Sequence, residues 1–286
     1  MDQFARTALL LGQASMERLF AAKVAVFGVG GVGGYCVEAL ARSGVGRLDL
    51  FDDDRICLTN LNRQIIATHK TVGLYKVDVT RERILEIHPG AEVNAYKLFY
   101  GPDTADQVDL GSYDYVVDAV DTLTAKLELV CRAEACGAPI ISCMGAANKL
   151  DASAFCVADV YQTSVCPMAR LMRKELRVRG VRALKVVYSR EPAMKPLEDG
   201  ADSCRQHCVC PPGTARTCLK RRQIPASNAF VPAAAGLVLA GEVVRDLTAG
   251  AGRRDAGGTP GTASPVEEGR RGGAFTGAAE GGGQWR

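Results

Sequence analysis

Gly28-Val29-Gly30-Gly31-Val32-Gly33 satisfies the spacing G-x-G-x-x-G. It comes after a short apolar run, Val24 to Phe27, and precedes a stretch of helical pattern. Glycines so spaced let a backbone turn tightly and approach a phosphate. The N-terminus of the next helix offers unpaired N–H groups and the positive end of its dipole. Asp52 closes the next apolar run, where a carboxylate can accept hydrogen bonds from ribose hydroxyls. These residues point to a nucleotide, and NAD, FAD and ATP all fit them.

The residues downstream of Asp52 separate those nucleotides. Asp52-Asp53-Asp54 leads into Thr59-Asn60-Leu61-Asn62-Arg63-Gln64 and then Val72-Gly73-Leu74-Tyr75-Lys76. Hydride transfer has no need of a basic pair beyond the ribose carboxylate, whereas departure of pyrophosphate does. Arg63 supplies a planar fork for phosphate oxygens, Lys76 supplies a compact point charge, and Asn60 and Gln64 can orient them. Val116-Val117-Asp118-Ala119-Val120-Asp121 reads as a buried strand ending in an acid. Asp121 then stands at the carboxyl end of the sheet, where open α/β sheets bind ligands, and can hold Mg²⁺ against the phosphates. Singly, Arg63 and Lys76 could be solvated surface charges and Asp121 a helix cap. As an ordered set behind the glycine loop, they predict adenylation of a carboxylate by ATP.

The elements that carry these groups alternate. A helix is expected over 5–20, with Leu9, Leu10, Met16, Leu19 and Phe20 on its apolar face. After the strand 24–27 and the glycine loop comes a helix over about 35–42, stopped by Ser43-Gly44, with Gly44 suited to a left-handed cap. An apolar strand over 47–54 ends in acids, and helical pattern over 76–87 closes at His88-Pro89. Strands at 92–97 and 113–120, a helix at 124–136 and a strand at 139–143 complete the series. Such alternation predicts an α/β fold, a Rossmann-like, doubly wound, mostly parallel sheet with helices on both faces. The pattern gives way at 190–225 to an irregular Cys-rich loop and returns as an apolar helix over 230–248. Residues 1–250 then form one ATP-binding domain, with a nucleotide half of about 1–150 and a substrate half of about 151–250. The tail 251–286 is rich in Gly, Ala and Arg; it cannot bury enough surface to offset its ordering entropy and reads as disordered.

GVGGVG, Asp52 and Asp54, NLNRQ, VGLYK and VVDAVD resemble, in order and spacing, the ThiF/MoeB/ubiquitin-activating family. The resemblance implies binding of MgATP and transfer of AMP to a substrate carboxylate. It makes Gly28, Gly30, Gly31 and Gly33 the phosphate loop, Asp52 the ribose ligand, and Asn60, Arg63 and Lys76 phosphate ligands. Asp121 becomes the magnesium-linked acid. The family is typically dimeric, and Arg6, in QFARTALLLG, sits where an arginine reaching into a partner's ATP site is expected; its plainer reading is a solvated residue at a helix start.

Members that adenylate the C-terminal glycine of a ubiquitin-like sulfur carrier commonly carry two C-x-x-C pairs for zinc, and this sequence has none. The segments QFARTALLLG, ALARSGVGRLDLFDDDRICLTNLNRQI, FCVADVYQTSVCPMARLMRKEL and FVPAAAGLVLAGEVV resemble instead the tRNA threonylcarbamoyladenosine dehydratase branch. Charge points the same way. Arg170, Arg173, Lys174 and Arg177 share one broad helical face, within a basic run that reaches Arg179, Arg182, Lys185 and Arg190 and is opposed only by Glu175. Such a face can neutralise RNA phosphates, or it can be a solvated surface. A second basic knot is formed by Arg216, Lys220, Arg221 and Arg222.

Formal net charge is +3, too weak to demand or exclude nucleic acid. Neither a signal peptide nor a run long enough to span a membrane is read, which places the chain in the cytoplasm with reduced thiols. Of the 11 cysteines, Cys204, Cys208, Cys210 and Cys218 cluster, with His207 among them. Their spacing is irregular, and a structural zinc, a catalytic thiol and a thiol-rich loop are all open readings. Sulfur-transfer proteins join tRNA as candidate partners. An NAD- or FAD-dependent oxidoreductase and a non-catalytic nucleotide-binding scaffold are the rival functions.

Overall fold

The computed structural model describes residues 2–197 and 225–250. The expected helix over 5–20 is two helices, α1 (Ala5–Leu11) and α2 (Gln13–Ala21), broken at Gly12, whose φ of 82° and ψ of 159° lie outside any helical region. The break separates the apolar positions that the sequence put on one face. Met16 and Leu19 are buried, while Leu9 is 88 % exposed and Leu10 77 %. A glycine is tolerated inside a 3.6-residue period, so the pattern runs through a break that the backbone does not.

The chain then builds β1 (Lys23–Phe27), α3 (Gly33–Ser43), β2 (Arg47–Phe51), α4 (Lys76–Ile87), β3 (Glu92–Tyr96) and β4 (Tyr115–Asp118). It continues through α5 (Leu123–Cys136), β5 (Ile140–Cys143), β6 (Phe155–Asp159), α6 (Pro167–Val178), β7 (Lys185–Ser189) and α7 (Val231–Thr248). The seven strands form one sheet in the order β3-β2-β1-β4-β5-β7-β6. Every neighbouring pair is parallel except β6 with β7. The sequence reading had no strand at either of those positions.

Strand order reverses between β1 and β4, which opens a crevice at their carboxyl ends. Val24 and Val26 point to one face, where they pack with Leu40 of α3, Ile84 of α4 and Leu239 of α7. Ala25 and Phe27 point to the other, against Leu129 and Ala133 of α5. Helices therefore cover both faces of a Rossmann-like fold, and β1 and β4 are buried on both sides, which is why they read as continuous apolar runs. Gly44 caps α3 with a left-handed φ of 93°.

Helix α7 is the lid of one face. It crosses α3 at Gly236, where an added Cβ would lie 2.3 Å from the Val32 carbonyl oxygen and 3.0 Å from the Cys36 nitrogen. Its far end is fastened to the sheet by polar contacts. The Tyr115 hydroxyl donates to Asp246 at 2.5 Å, and Lys185 pairs with Asp246 at 2.7 Å and Glu242 at 3.2 Å. Lys185 thus leaves the basic run in which the sequence placed it.

Overpacking at this crossing should be costly: Gly236→Ala is expected to lower unfolding free energy by about 2 kcal/mol, read as a lower urea midpoint with an unchanged slope. An unaltered midpoint would mean that α7 shifts freely over α3.

Candidate functional site

The site begins where β1 stops. Gly28 adopts a φ of 86°, and its nitrogen donates to the Phe51 carbonyl at 2.8 Å. A side chain there would meet the Ala119 carbonyl oxygen at 2.8 Å, and one at Gly33 would meet the Gly28 carbonyl oxygen at 1.8 Å. These two glycines are required by backbone packed on backbone. Gly30 and Gly31 differ: Gly30 faces open space bounded by the Gln64 amide at 3.8 Å, and Gly31 faces the Arg63 side chain at 3.4 Å and Pro232 of α7 at 3.3 Å. The loop's open surface is therefore bordered by two of the residues singled out from sequence.

Asp52 comes directly after β2 and is held on both oxygens. Val29 of the glycine loop donates to Oδ2 at 2.8 Å, and the Asp54 nitrogen donates to Oδ1 at 2.9 Å. Lys76 opens α4 and is buried, with Nζ 2.7 Å from Asp54 Oδ2 and 3.7 Å from Asp52 Oδ1. Burial by itself would push its pKa down, but the charges of Asp52, Asp54 and Asp121 and the hydrogen bond to Asp54 outweigh that, and the pKa is raised. Lys76 is thus a fixed cation beside the glycine loop and no free surface charge. The carboxylates of Asp52, Asp53 and Asp54 come within 4.8 Å of one another, oxygen donors of the kind that suit a hard cation.

Asn60 serves the loop itself: its side-chain oxygen accepts from the Cys57 nitrogen at 3.0 Å and closes a one-turn helix over Leu58–Asn60. Arg63 donates to the Thr59 carbonyl at 2.9 Å and to Asn62 at 2.8 Å. Gln64 is buried, and its Oε1 has no partner among the described residues, although the amide borders Gly30.

Asp121 is placed differently from the expectation. The strand ends at Asp118, and Asp121 lies three residues beyond it on an exposed turn. Its charge still reaches Lys76. The N-cap of α5 is Thr122, without a side-chain cap bond. The acid that does end the strand, Asp118, is fully buried against Lys126, with Nζ 3.0 Å from each carboxylate oxygen. The sequence reading passed over both residues, though the first acid of VVDAVD, with a lysine eight positions on, was a visible signal.

Residues 226–228 are tied to the loops that follow β2 and β5. Asn62 donates to the Ser227 carbonyl at 3.0 Å, and Ala226 exchanges bonds of 2.8 and 2.7 Å with Asn148. On α6, Arg170, Lys174 and Arg177 are exposed, whereas Arg173 is half-buried and donates to the Thr163 carbonyl at 2.9 Å. Glu175 is taken by Arg179 at 2.7 Å. Arg6 is exposed on α1. Cys204, Cys208, Cys210 and Cys218, the second basic knot and the tail 251–286 lie outside the described residues. Burial pushes the Cys143 thiol up to about 12 and raises that of Cys36 as well, so neither is a thiolate at neutral pH. An open cavity of about 400 Å³ lined by Phe51, Tyr96, Asp109 and Tyr113 contains none of these site residues.

The ThiF family model matches residues 4–258. The chain is 42 % identical over 253 residues to the tRNA threonylcarbamoyladenosine dehydratase of Bacillus subtilis (strain 168), covering 86 % of this chain and 95 % of that one. It is 34 % identical over 207 residues to the dehydratase of the same name from Escherichia coli (strain K12), covering 70 % and 77 %. A crystal structure of the E. coli tRNA N6-threonylcarbamoyladenosine dehydratase in complex with ATP superposes with a TM-score of 0.74 at 30 % identity, covering 88 % of this chain and 96 % of that one.

Removing the buried ammonium while leaving its acids should unbalance the site. Lys76→Met is expected to cost roughly 3 kcal/mol of stability near neutral pH, and the loss should shrink at alkaline pH, once the raised pKa of Lys76 is passed and its charge is gone. A loss of equal size at both pH values in urea titrations would show that side-chain packing, not charge, is at stake.

Proposed function

This chain belongs to the ThiF family, and from that premise we propose that it catalyses ATP-dependent dehydration of threonylcarbamoyladenosine in tRNA, closing the ring through an acyl-adenylate. The observation that carries the adenylating chemistry is Lys76, kept cationic against Asp52 and Asp54 beside a glycine loop whose open side is bordered by Arg63 and Gln64. The match over 95 % of a dehydratase of that name supports the substrate.

In this reading Gly28, Gly30, Gly31 and Gly33 let the backbone approach the phosphates of ATP, and Asp52 and Asp54 take the ribose side. The substrate carboxylate attacks the α-phosphate and pyrophosphate leaves. Lys76 and Arg63 offset the charge that accumulates on the phosphate oxygens, with Asn60 and Gln64 shaping the loop around them. Mg²⁺ suits carboxylate oxygens, and Asp121, whose charge reaches Lys76, would hold it to neutralise the phosphates. A nucleophile of the same side chain then attacks the acyl-adenylate, AMP departs, and the net change is loss of water. Keeping both reacting groups on one nucleoside makes closure effectively unimolecular.

Arg170, Arg173, Lys174 and Arg177 form the tRNA-facing surface, Arg173 doubling as the tie that fixes the turn before α6. The protein works as a homodimer: Leu9 and Leu10 stand uncovered on α1 beside Arg6, an apolar patch that a second copy would bury. It acts in the cytoplasm, where tRNA is. Zinc at the Cys204–Cys218 cluster and contacts with sulfur-transfer proteins are further proposals that metal analysis and pull-down would test.

Incubation of unmodified-ring tRNA with the protein and MgATP should yield a modified adenosine lighter by one water, seen by nucleoside mass analysis, and Asp121→Ala should abolish pyrophosphate release while the fold survives. An unchanged nucleoside, with ATP consumed only when a small protein ending in Gly-Gly is present, would move the substrate to a sulfur carrier. Replacing Arg170, Lys174 and Arg177 by Gln should lessen the salt-dependence slope of tRNA binding by about 2 to 3; an unchanged slope would remove α6 from the interface.

A further inference from the structure

The buried pair behind the exposed turn of Asp121 takes no direct part in the adenylation chemistry. Lys126 stands in the first turn of α5 with its side chain directed inward and 1 % exposed. Its Nζ donates to both oxygens of Asp118 at 3.0 Å, to the Cys143 carbonyl at 2.7 Å and to the Ser142 hydroxyl at 3.3 Å. Ser142 in turn donates to Asp118 Oδ2 at 2.5 Å. One ammonium therefore joins the carboxyl ends of β4 and β5 to the start of α5.

Asp118 uses its remaining capacity on the chain just beyond it. Its Oδ1 accepts from the Val120 nitrogen at 3.2 Å, which bends the backbone immediately after β4. The same turn is fastened on its other side: the Ala119 nitrogen donates to Phe27 at 2.9 Å, and the Ala119 carbonyl packs against Gly28 with no room for a side chain. Asp121 is the next exposed group along this turn, and its charge is felt at Lys76. The turn is thus clamped between the glycine loop and Lys126.

A buried ion pair is a poor choice for stability alone, because apolar residues of the same volume often do as well. What an apolar pair cannot do is fix the orientation of a carboxylate that itself holds a backbone N–H. We infer that Lys126 is a positioning residue: by orienting Asp118 it sets the turn that presents Asp121 to the phosphates, an inference that rests on the adenylation reading.

The test uses the full chain with tRNA and MgATP. In Asp118→Asn/Lys126→Met both charges go together, which leaves neither partner buried alone. This variant is expected to unfold at a urea midpoint close to the wild type yet to lose roughly tenfold to a hundredfold in kcat, with a raised Mg²⁺ requirement and little change in KM for tRNA. Lys126→Arg, which keeps the charge, should retain more activity than the neutral pair. If the double variant does not fold, Ser142→Ala serves in its place, since it removes a single bond to Asp118; a several-fold fall in kcat with a raised Mg²⁺ requirement is then expected. Wild-type kcat and Mg²⁺ dependence in the folded double variant, or in Ser142→Ala where that is the one that folds, would overturn the inference. The wild type and Asp121→Ala separate the claims: if the wild type releases no pyrophosphate, the adenylation reading fails; if Asp121→Ala leaves release intact, the role of Asp121 and the positioning built on it fail; if Asp121→Ala abolishes release while the Asp118, Lys126 and Ser142 variants are normal, only the positioning role fails.

Discussion

Backbone pressed on backbone at the switch point of the sheet is the constraint on which the remaining architecture depends. Gly28 lies against the Ala119 carbonyl and Gly33 against the Gly28 carbonyl, at separations no side chain could share. The consequence is that the loop after β1 and the turn after β4 are one object. Whatever fixes Ala119 fixes the phosphate loop, and whatever moves the first turn of α3 moves the Asp118–Asp121 turn. Interiors packed to this density switch between arrangements and do not deform smoothly, so the two sides of the crevice keep a common geometry without direct side-chain contact.

Charge is the second layer, built on that frame. Asp52 is held by the glycine loop through Val29 and by the Asp54 nitrogen, so its carboxylate is oriented before any ligand arrives. Lys76 is oriented in turn by Asp52 and Asp54. A nucleotide entering here meets a cation already desolvated, and its phosphates compete with carboxylates for that cation. The arrangement favours a bound group more negative than the acids themselves, which suits a triphosphate better than the ribose end of a dinucleotide. Preorganisation of this kind is what gives fixed dipoles and charges their effect on a transition state, because nothing need reorient as charge develops.

Much of this was legible in the sequence, for identifiable reasons. The β1 and β4 runs are buried on both faces and therefore continuous, so the sheet centre announces itself. The helix over Lys76–Ile87 and the left-handed cap at Gly44 were read at the right residues because periodicity and glycine each have one dominant cause there. The failures also have causes. Gly12 breaks a helix without breaking its apolar period. The edge strand β6 is half-buried along its whole length and so shows neither an apolar run nor an alternation, while β7 is a short buried run set in a basic stretch, between β5 and β6. Lys126 is easily passed over because a lysine in a helix is ordinarily a solvated one, and only its spacing from Asp118 hints that its side chain ends beneath two strands. The strand ends at Asp118 and not at Asp121 for a related reason: a sequence shows two acids near a strand end, but only register shows which of them is inside it.

The chemistry asked of the substrate also bears on what the protein need not supply. A thioester route would require a thiolate within reach of the acyl-adenylate. The two fully buried thiols near the strand ends, Cys36 and Cys143, are held protonated by burial, Cys143 despite the Lys126 ammonium nearby. Making Cys143 a nucleophile would mean burying an anion beside Asp118, which already occupies that ammonium, and Cys36 has no cation among the causes that set its pKa. A substrate that brings its own nucleophile avoids the cost. Once the carboxylate is activated, the remaining demand on the protein is to hold one side chain folded on itself and to keep bulk water from the mixed anhydride, for which positioning suffices. A phosphate loop, a fixed cation and oriented acids, with Cys36 and Cys143 held protonated behind them, suit such a self-contained substrate.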